Sequence, residues 1–175
     1  MTPLTLETPR IGAILPSVRL RVAAEKGAGE DVTTEALFSG KRVVIFALPG
    51  AFTPTCSAKH VPGYLAQYDE FKAKGVDMIA CVSVNDAWVM AAWAREQGAF
   101  GKITMIADGN GDFTRAMGLL LDASGSFMGM RSKRYAALVE NNVLRSLDVE
   151  EPGKFEVSSA EAVLCLLYTS DAADE

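Results

Sequence analysis

Val43-Val-Ile-Phe-Ala-Leu48, running into Pro49-Gly-Ala-Phe-Thr-Pro-Thr-Cys-Ser57, is the stretch on which the fold turns. Its first six residues are continuously apolar and begin with three β-branched side chains. That pattern suits a strand covered on both faces, not one with a wet side. Val76-Asp-Met-Ile-Ala-Cys-Val-Ser-Val84 reads the same way, and Ile103-Thr-Met-Ile-Ala107 is a shorter third example. Between them lie helical patterns over Tyr64–Lys74, stopped by Gly75, and over Asp86–Gln97, capped by Asn85 or Asp86 and ended by Gly98. Strand–helix–strand–helix order predicts a parallel sheet with right-handed crossovers.

Further along the chain the pattern changes. Arg134–Glu140 and Val143–Val149 flank Asn141-Asn142, two residues that tolerate positive φ, which predicts a tight hairpin. Ser158-Ser-Ala-Glu161 has capping-box spacing and opens a final helix. The expected fold class is therefore α/β, with a central mixed β-sheet flanked by helices on both faces.

The chain has 175 residues, consistent with one domain, with 17 Lys+Arg against 22 Asp+Glu for a net charge of −5. Hydrophobic residues at 49% and charged residues at 22% exclude a disordered chain. The acidic balance points away from nucleic acid and anionic membrane as partners. No apolar run approaches the roughly 18 residues of a membrane span. The first ten residues lack a basic-then-apolar secretory pattern, and three widely spaced cysteines do not form a disulfide framework. These features imply a reducing, cytoplasmic setting.

The loop after the first buried strand carries the candidate chemistry, because ligands in open α/β sheets sit at strand carboxyl ends. Thr53-Pro54 reads as N-cap and first helical residue, which makes Cys56 the third helical residue. There, free N–H groups and the positive end of the helix dipole favour an anion, and the thiolate is the reactive form of cysteine. On these grounds alone Cys56 reads equally as a nucleophile or as an inert packed thiol.

Pro49-Gly-Ala-Phe-Thr53-Pro-Thr-Cys56-Ser resembles the peroxiredoxin signature Pro-x-x-x-Thr-x-x-Cys, and more narrowly the type II, or peroxiredoxin-five, group. The resemblance continues through His60-Val-Pro-Gly63, Ala80-Cys-Val-Ser-Val-Asn-Asp86, Trp93, Gly118-Leu-Leu-Leu-Asp122 and Lys133-Arg134-Tyr135, covering roughly residues 10 to 164. It implies a thioredoxin-like fold and a thiol-dependent peroxidase that reduces hydrogen peroxide and organic hydroperoxides without a metal or organic cofactor. By position, Cys56 would be the peroxidatic cysteine, forming a sulfenic acid. Thr53 would hydrogen-bond the thiolate and the peroxide. Arg134 would aim its guanidinium at the sulfur, in preference to Arg131, and Pro49 would shield the sulfur from water. The group's frequent homodimers imply a dimer here.

Cys81 lies mid-strand and reads as a buried structural thiol. Two-cysteine members carry a resolving cysteine near Lys154–Ser159, where this chain has none. The resemblance then implies a one-cysteine cycle with an external thiol, either glutathione with glutaredoxin or thioredoxin. Cys165–Glu175 departs from the family pattern and looks like a translated library-preparation adapter. The expected organisation is one domain over 1–164 and a non-native tail over 165–175.

Other chemistries fit poorly. Asp108-Gly-Asn-Gly-Asp112 opens like a calcium loop, but Phe113 and Leu119 stand where glycine and glutamate are needed. A zinc site or a Cys–His hydrolase built on Cys56 and His60 lacks partners, and His60 reads as a local hydrogen-bonding residue with Pro62 bending the helix beyond it. No Cys-x-x-Cys occurs. Trp88 and Trp93 diverge by roughly 140° on a helix, so both cannot enter one small core site. The rival reading from another class is a catalytically silent thioredoxin-like binding module.

Overall fold

The computed structural model describes residues 7–173. Nine strands occur among them: β1 (Arg19–Val22), β2 (Glu30–Thr33), β3 (Arg42–Ala47), β4 (Met78–Ser83), β5 (Ile103–Ala107), β6 (Leu120–Asp122), β7 (Met130–Ser132), β8 (Tyr135–Glu140) and β9 (Val143–Val149). The helices are α1 (Thr34–Phe38), α2 (Val61–Ala66), α3 (Tyr68–Ala73), α4 (Ala87–Gln97), α5 (Asp112–Ala116) and α6 (Ala160–Ala173), with a π-helical turn at Cys56–His60 before α2. Seven strands form one sheet in the order β2-β1-β5-β4-β3-β8-β9, while β6 and β7 pair separately.

The mixed character predicted from sequence is present. β3, β4 and β5 run parallel, β8 pairs antiparallel with β3, and β1 pairs antiparallel with β5. The continuous apolar run does bury both faces. Val43, Ile45 and Ala47 face one core with Phe38, Phe113 and Met117, under α1 and α5. Val44, Phe46 and Leu48 face the other with Tyr64, Phe71 and Trp93, under the helices from α2 to α4 and α6. Full burial of such side chains contributes about 1.5–3 kcal/mol each.

The hairpin forms as the sequence predicts. Asn141 and Asn142 take φ of 47° and 66°. Asn141 Oδ1 accepts from Gly40 N–H at 2.7 Å, and Asn142 Nδ2 donates to Glu35 O at 3.0 Å. Asp86, not Asn85, caps α4 by accepting from Val89 N–H at 2.9 Å, and Gly98 ends it in the left-handed region.

Three local expectations are corrected. The final helix is capped by Ser159, whose Oγ accepts from Ala162 N–H at 3.2 Å. Ser158 is spent elsewhere, donating its hydroxyl to Glu150 at 2.7 Å. Helical backbone begins at Pro54, well before the Tyr64 start read from apolar spacing, and is interrupted at Gln67. The distortion assigned to Pro62 falls one turn earlier. Proline has no N–H for the carbonyl four residues back, and the chain widens so that Val61 N–H bonds Cys56 O. Of the two tryptophans, Trp93 is fully buried and donates to Ser57 Oγ at 3.0 Å, whereas Trp88 is 61% exposed.

α6 runs unbroken past residue 164, with Leu167 buried and Tyr168 hydroxyl bonded to Glu70 at 2.9 Å. Of the proposed 165–175 tail, residues 174 and 175 lie outside the described residues.

Candidate active site

The loop leaving β3 turns sharply at Gly50–Thr53. Phe52 sits at φ 65°, a conformation that costs a non-glycine residue roughly 1–3 kcal/mol and so needs support. Support comes from Thr53 hydroxyl donating to Gly50 O at 2.7 Å and from Asn85 Oδ1 accepting from Ala51 N–H at 3.0 Å. Gly50 is closely approached: a Cβ there would lie 2.9 Å from Arg131 Nη1, so the arginine's end would have to shift.

Cys56 is the third helical residue, as read from Thr53-Pro54. The first helical bond runs from Ser57 N–H to Thr53 O at 3.0 Å, so Cys56 precedes the bonded ladder. Its Sγ accepts from Arg134 Nη2 at 3.1 Å. Arg134 precedes β8, whose first residue pairs with Ala47 at the end of β3. That register brings the guanidinium to the start of the Pro49 loop. Arg131, the alternative cation, approaches the same loop but donates to Met128 O at 2.9 Å and to Pro49 O at 3.5 Å.

Thr53 departs from the expected geometry. Its single hydroxyl proton goes to the Gly50 carbonyl, not to the sulfur. The oxygen's lone pairs remain as acceptors. Cys56 itself is fully buried. Pro49, Thr55 and Arg134 line a cleft of about 550 Å³ whose other walls include Lys59, Lys133 and Phe155. Cys56 lies behind that wall, reached through Arg134. A second cleft of about 520 Å³ lies around Arg21, Trp88 and Asp108.

The sequence reading did not anticipate what lies behind Arg134. Its Nη1 donates to His60 Nδ1 at 2.8 Å, and His60 Nε2 contacts Ser158 O at 3.0 Å. Ser158 N–H and hydroxyl both donate to Glu150, at 2.9 Å and 2.7 Å. Burial, reinforced by the Arg134 charge, pushes the His60 pKa down to about 3. Burial alone would raise the Glu150 carboxyl, but the hydrogen bonds from Ser158 and Glu156 outweigh it and hold the group below its usual range. Cys81 is fully buried, and burial, with Cys56 acting in the same direction, pushes its thiol well up.

These shifts predict an acid-sensitive fold. His60 takes up a proton in the unfolded chain near pH 6.5 but in the folded one only near pH 3. The unfolded state then binds more protons throughout that interval, so stability falls as pH drops from about 6.5 to about 3. Urea midpoints measured across the interval should decline for wild type and decline less for His60→Asn.

Comparisons with known proteins place the chain in a family. The Redoxin family profile matches residues 11–164. A chloroplastic peroxiredoxin-2E of Arabidopsis thaliana is 44% identical over 166 residues, covering 93% of this chain and 70% of the relative. The crystal structure of reduced Prx3 from Vibrio vulnificus in complex with hydrogen peroxide superposes with a TM-score of 0.88 at 48% identity, covering 94% of this chain and 99% of that one. The Plasmodium falciparum antioxidant protein, described as a 1-Cys peroxiredoxin, superposes with a TM-score of 0.87 at 34% identity, covering 92% and 99%. The chain belongs to the redoxin family and, within it, to the type II peroxiredoxins. It is a thiol peroxidase with a thioredoxin-like fold, which sets aside the silent binding module.

Proposed function

We propose that Cys56 is the peroxidatic nucleophile and that Arg134 holds its sulfur as an anion; the observation that carries this is the 3.1 Å contact between Arg134 Nη2 and Cys56 Sγ. The sulfur attacks the terminal peroxide oxygen, the O–O bond breaks, and the other oxygen leaves as alkoxide or hydroxide and takes up a proton. Sulfur is oxidised by two electrons to a sulfenic acid, and the peroxide is reduced to alcohol or water. A guanidinium beside the sulfur favours the thiolate and offsets charge on the leaving oxygen. Thr53 Oγ accepts a hydrogen bond from the peroxide while its own hydroxyl keeps donating to the Gly50 carbonyl. Pro49, whose ring offers no N–H, limits water around the sulfur. The peroxide enters from the cleft between Pro49, Thr55 and Arg134.

The reductant is an external thiol acting on a one-cysteine cycle, with glutathione and glutaredoxin preferred over thioredoxin. The absence of cysteine from residues 154–159, the burial of Cys81 in β4 and the likeness to a protein described as 1-Cys support this. Cys81→Ala is expected to keep turnover with glutathione plus glutaredoxin. Turnover only with thioredoxin, or its loss in Cys81→Ala, would overturn the reading. No metal or organic group has a part in these steps.

The protein works as a cytoplasmic homodimer joined near the active-site loop. Phe52, Phe127 and Met130 are exposed at 50%, 99% and 48%, and Met128 reaches toward Gly50, which makes an apolar face beside the site. Sedimentation velocity should give twice the chain mass for wild type and a monomer for Phe127→Glu; a wild-type monomer contradicts this arrangement. Cell fractionation tests the compartment. Residues from Cys165 onward are foreign sequence. The family profile ends at Leu164, and a genomic read crossing that junction without adapter would refute the assignment.

A further inference from the structure

We propose that His60 is a positioning residue for the peroxidase reaction: its neutral ring, locked as the Nε2–H tautomer by the Ser158 carbonyl, uses bare Nδ1 to hold Arg134 so that the other guanidinium nitrogen faces Cys56. This rests on reading the Cys56–Arg134 pair as the working site.

The tautomer follows from the partners. A guanidinium can only donate, so the His60 Nδ1 that Arg134 Nη1 meets at 2.8 Å must be an acceptor. A carbonyl can only accept, so the His60 Nε2 at 3.0 Å from Ser158 O must carry the proton. One ring thus spans a fixed acceptor and a cationic donor: the other tautomer would lose both contacts, and the imidazolium would lose the one to Arg134. The fork of Arg134 is divided, with one arm on His60 and one on Cys56.

The carbonyl that orients the ring is itself fixed. Ser158 O also accepts from Tyr64 hydroxyl at 2.8 Å. Glu150 Oε2 accepts from Glu156 N–H, Ser158 N–H and Ser158 hydroxyl at 2.7, 2.9 and 2.7 Å, closing the segment from 150 to 158 on one carboxylate. Glu150 N–H donates in turn to Arg134 O at 2.9 Å, so the same residue ties the strap to the arginine's own backbone. The imidazole lies between Phe46, at 4.8 Å between centroids, and Phe155, at 5.0 Å edge-on. Phe155 also covers the guanidinium at 5.9 Å. Full burial of His60 keeps it neutral, which the acceptor role requires. Without the ring, Arg134 would keep its charge but lose the contact that fixes one arm, and the sulfur would meet a guanidinium with freedom to swing into the cleft.

Replacements separate the two ring functions. In His60→Asn the amide oxygen stands near the Nδ1 position and can still accept from Arg134. In His60→Gln the amide reaches the Nε2 position and keeps the Ser158 contact only. His60→Leu keeps neither. Cys56 alkylation by iodoacetamide at neutral pH and kcat/KM for peroxide should stay within about threefold of wild type in His60→Asn, and fall together by about ten- to hundredfold in the Gln and Leu variants. Equal losses in all three, or unchanged alkylation in His60→Leu, would overturn the proposal. If the variants fail to fold, ¹⁵N NMR of wild-type His60 decides: protonated Nε2 with bare Nδ1 supports it, and the opposite tautomer or a doubly protonated ring sinks it. Peroxidase activity that survives Cys56→Ser would instead sink the underlying site assignment.

Discussion

Cys56→Ser is expected to lose peroxide turnover entirely in an assay that follows peroxide consumption with excess reductant, while keeping an unfolding free energy, measured in urea, within about 1 kcal/mol of wild type. The change replaces sulfur by oxygen at a fully buried position and leaves the surrounding core in place. A serine hydroxyl beside Arg134 can accept the same hydrogen bond, but it is not ionised near neutrality and has no accessible higher oxidation state. The other two cysteines cannot substitute. Cys81 is sealed in β4 with its thiol pushed well up, and Cys165 lies exposed on α6. Residual turnover above the uncatalysed rate would mean that the oxidised sulfur is elsewhere.

Arg134→Ala is expected to cost about 10²–10³-fold in kcat/KM for peroxide, the scale of removing a donor aimed at developing charge. Two consequences of one deletion combine. A buried thiolate without its cation is disfavoured, so less of the reactive form is present. The leaving oxygen also loses its partner during O–O cleavage. Cys56 alkylation at neutral pH should slow in the same variant, and unchanged alkylation would refute the role given to the guanidinium. Arg134→Lys should recover only part of the loss. A single ammonium cannot span His60 Nδ1 and Cys56 Sγ as two planar arms do, at 2.8 and 3.1 Å.

Much of the scaffold is legible in the sequence because its signals are local. The Val43–Leu48 run, the Asn141-Asn142 turn, the Asp86 cap and the Gly98 stop each depend on a few neighbouring residues, and each appears as read. Thr53-Pro54 places Cys56 in the first helical turn for the same reason. The Arg134 contact spans 78 residues and follows from the register of β8 on β3, which local pattern does not encode; family resemblance supplied it. His60 and Ser158 are 98 residues apart, and their bond uses a backbone carbonyl that any residue could present. That is why the sequence pattern casts Ser158 as a cap and gives no sign of Glu150. Thr53 shows a different limit. Its hydroxyl has one proton, and only coordinates reveal that Gly50 takes it.

The most direct measurement exposes the reduced protein to less than one equivalent of hydrogen peroxide in the presence of dimedone, then locates the adduct by mass spectrometry of peptides. The adduct should form at Cys56, with Cys81 and Cys165 left as free thiols. An adduct at either of those, with Cys56 recovered unmodified, would contradict the assignment of a guanidinium-held anionic sulfur as the site of peroxide reduction.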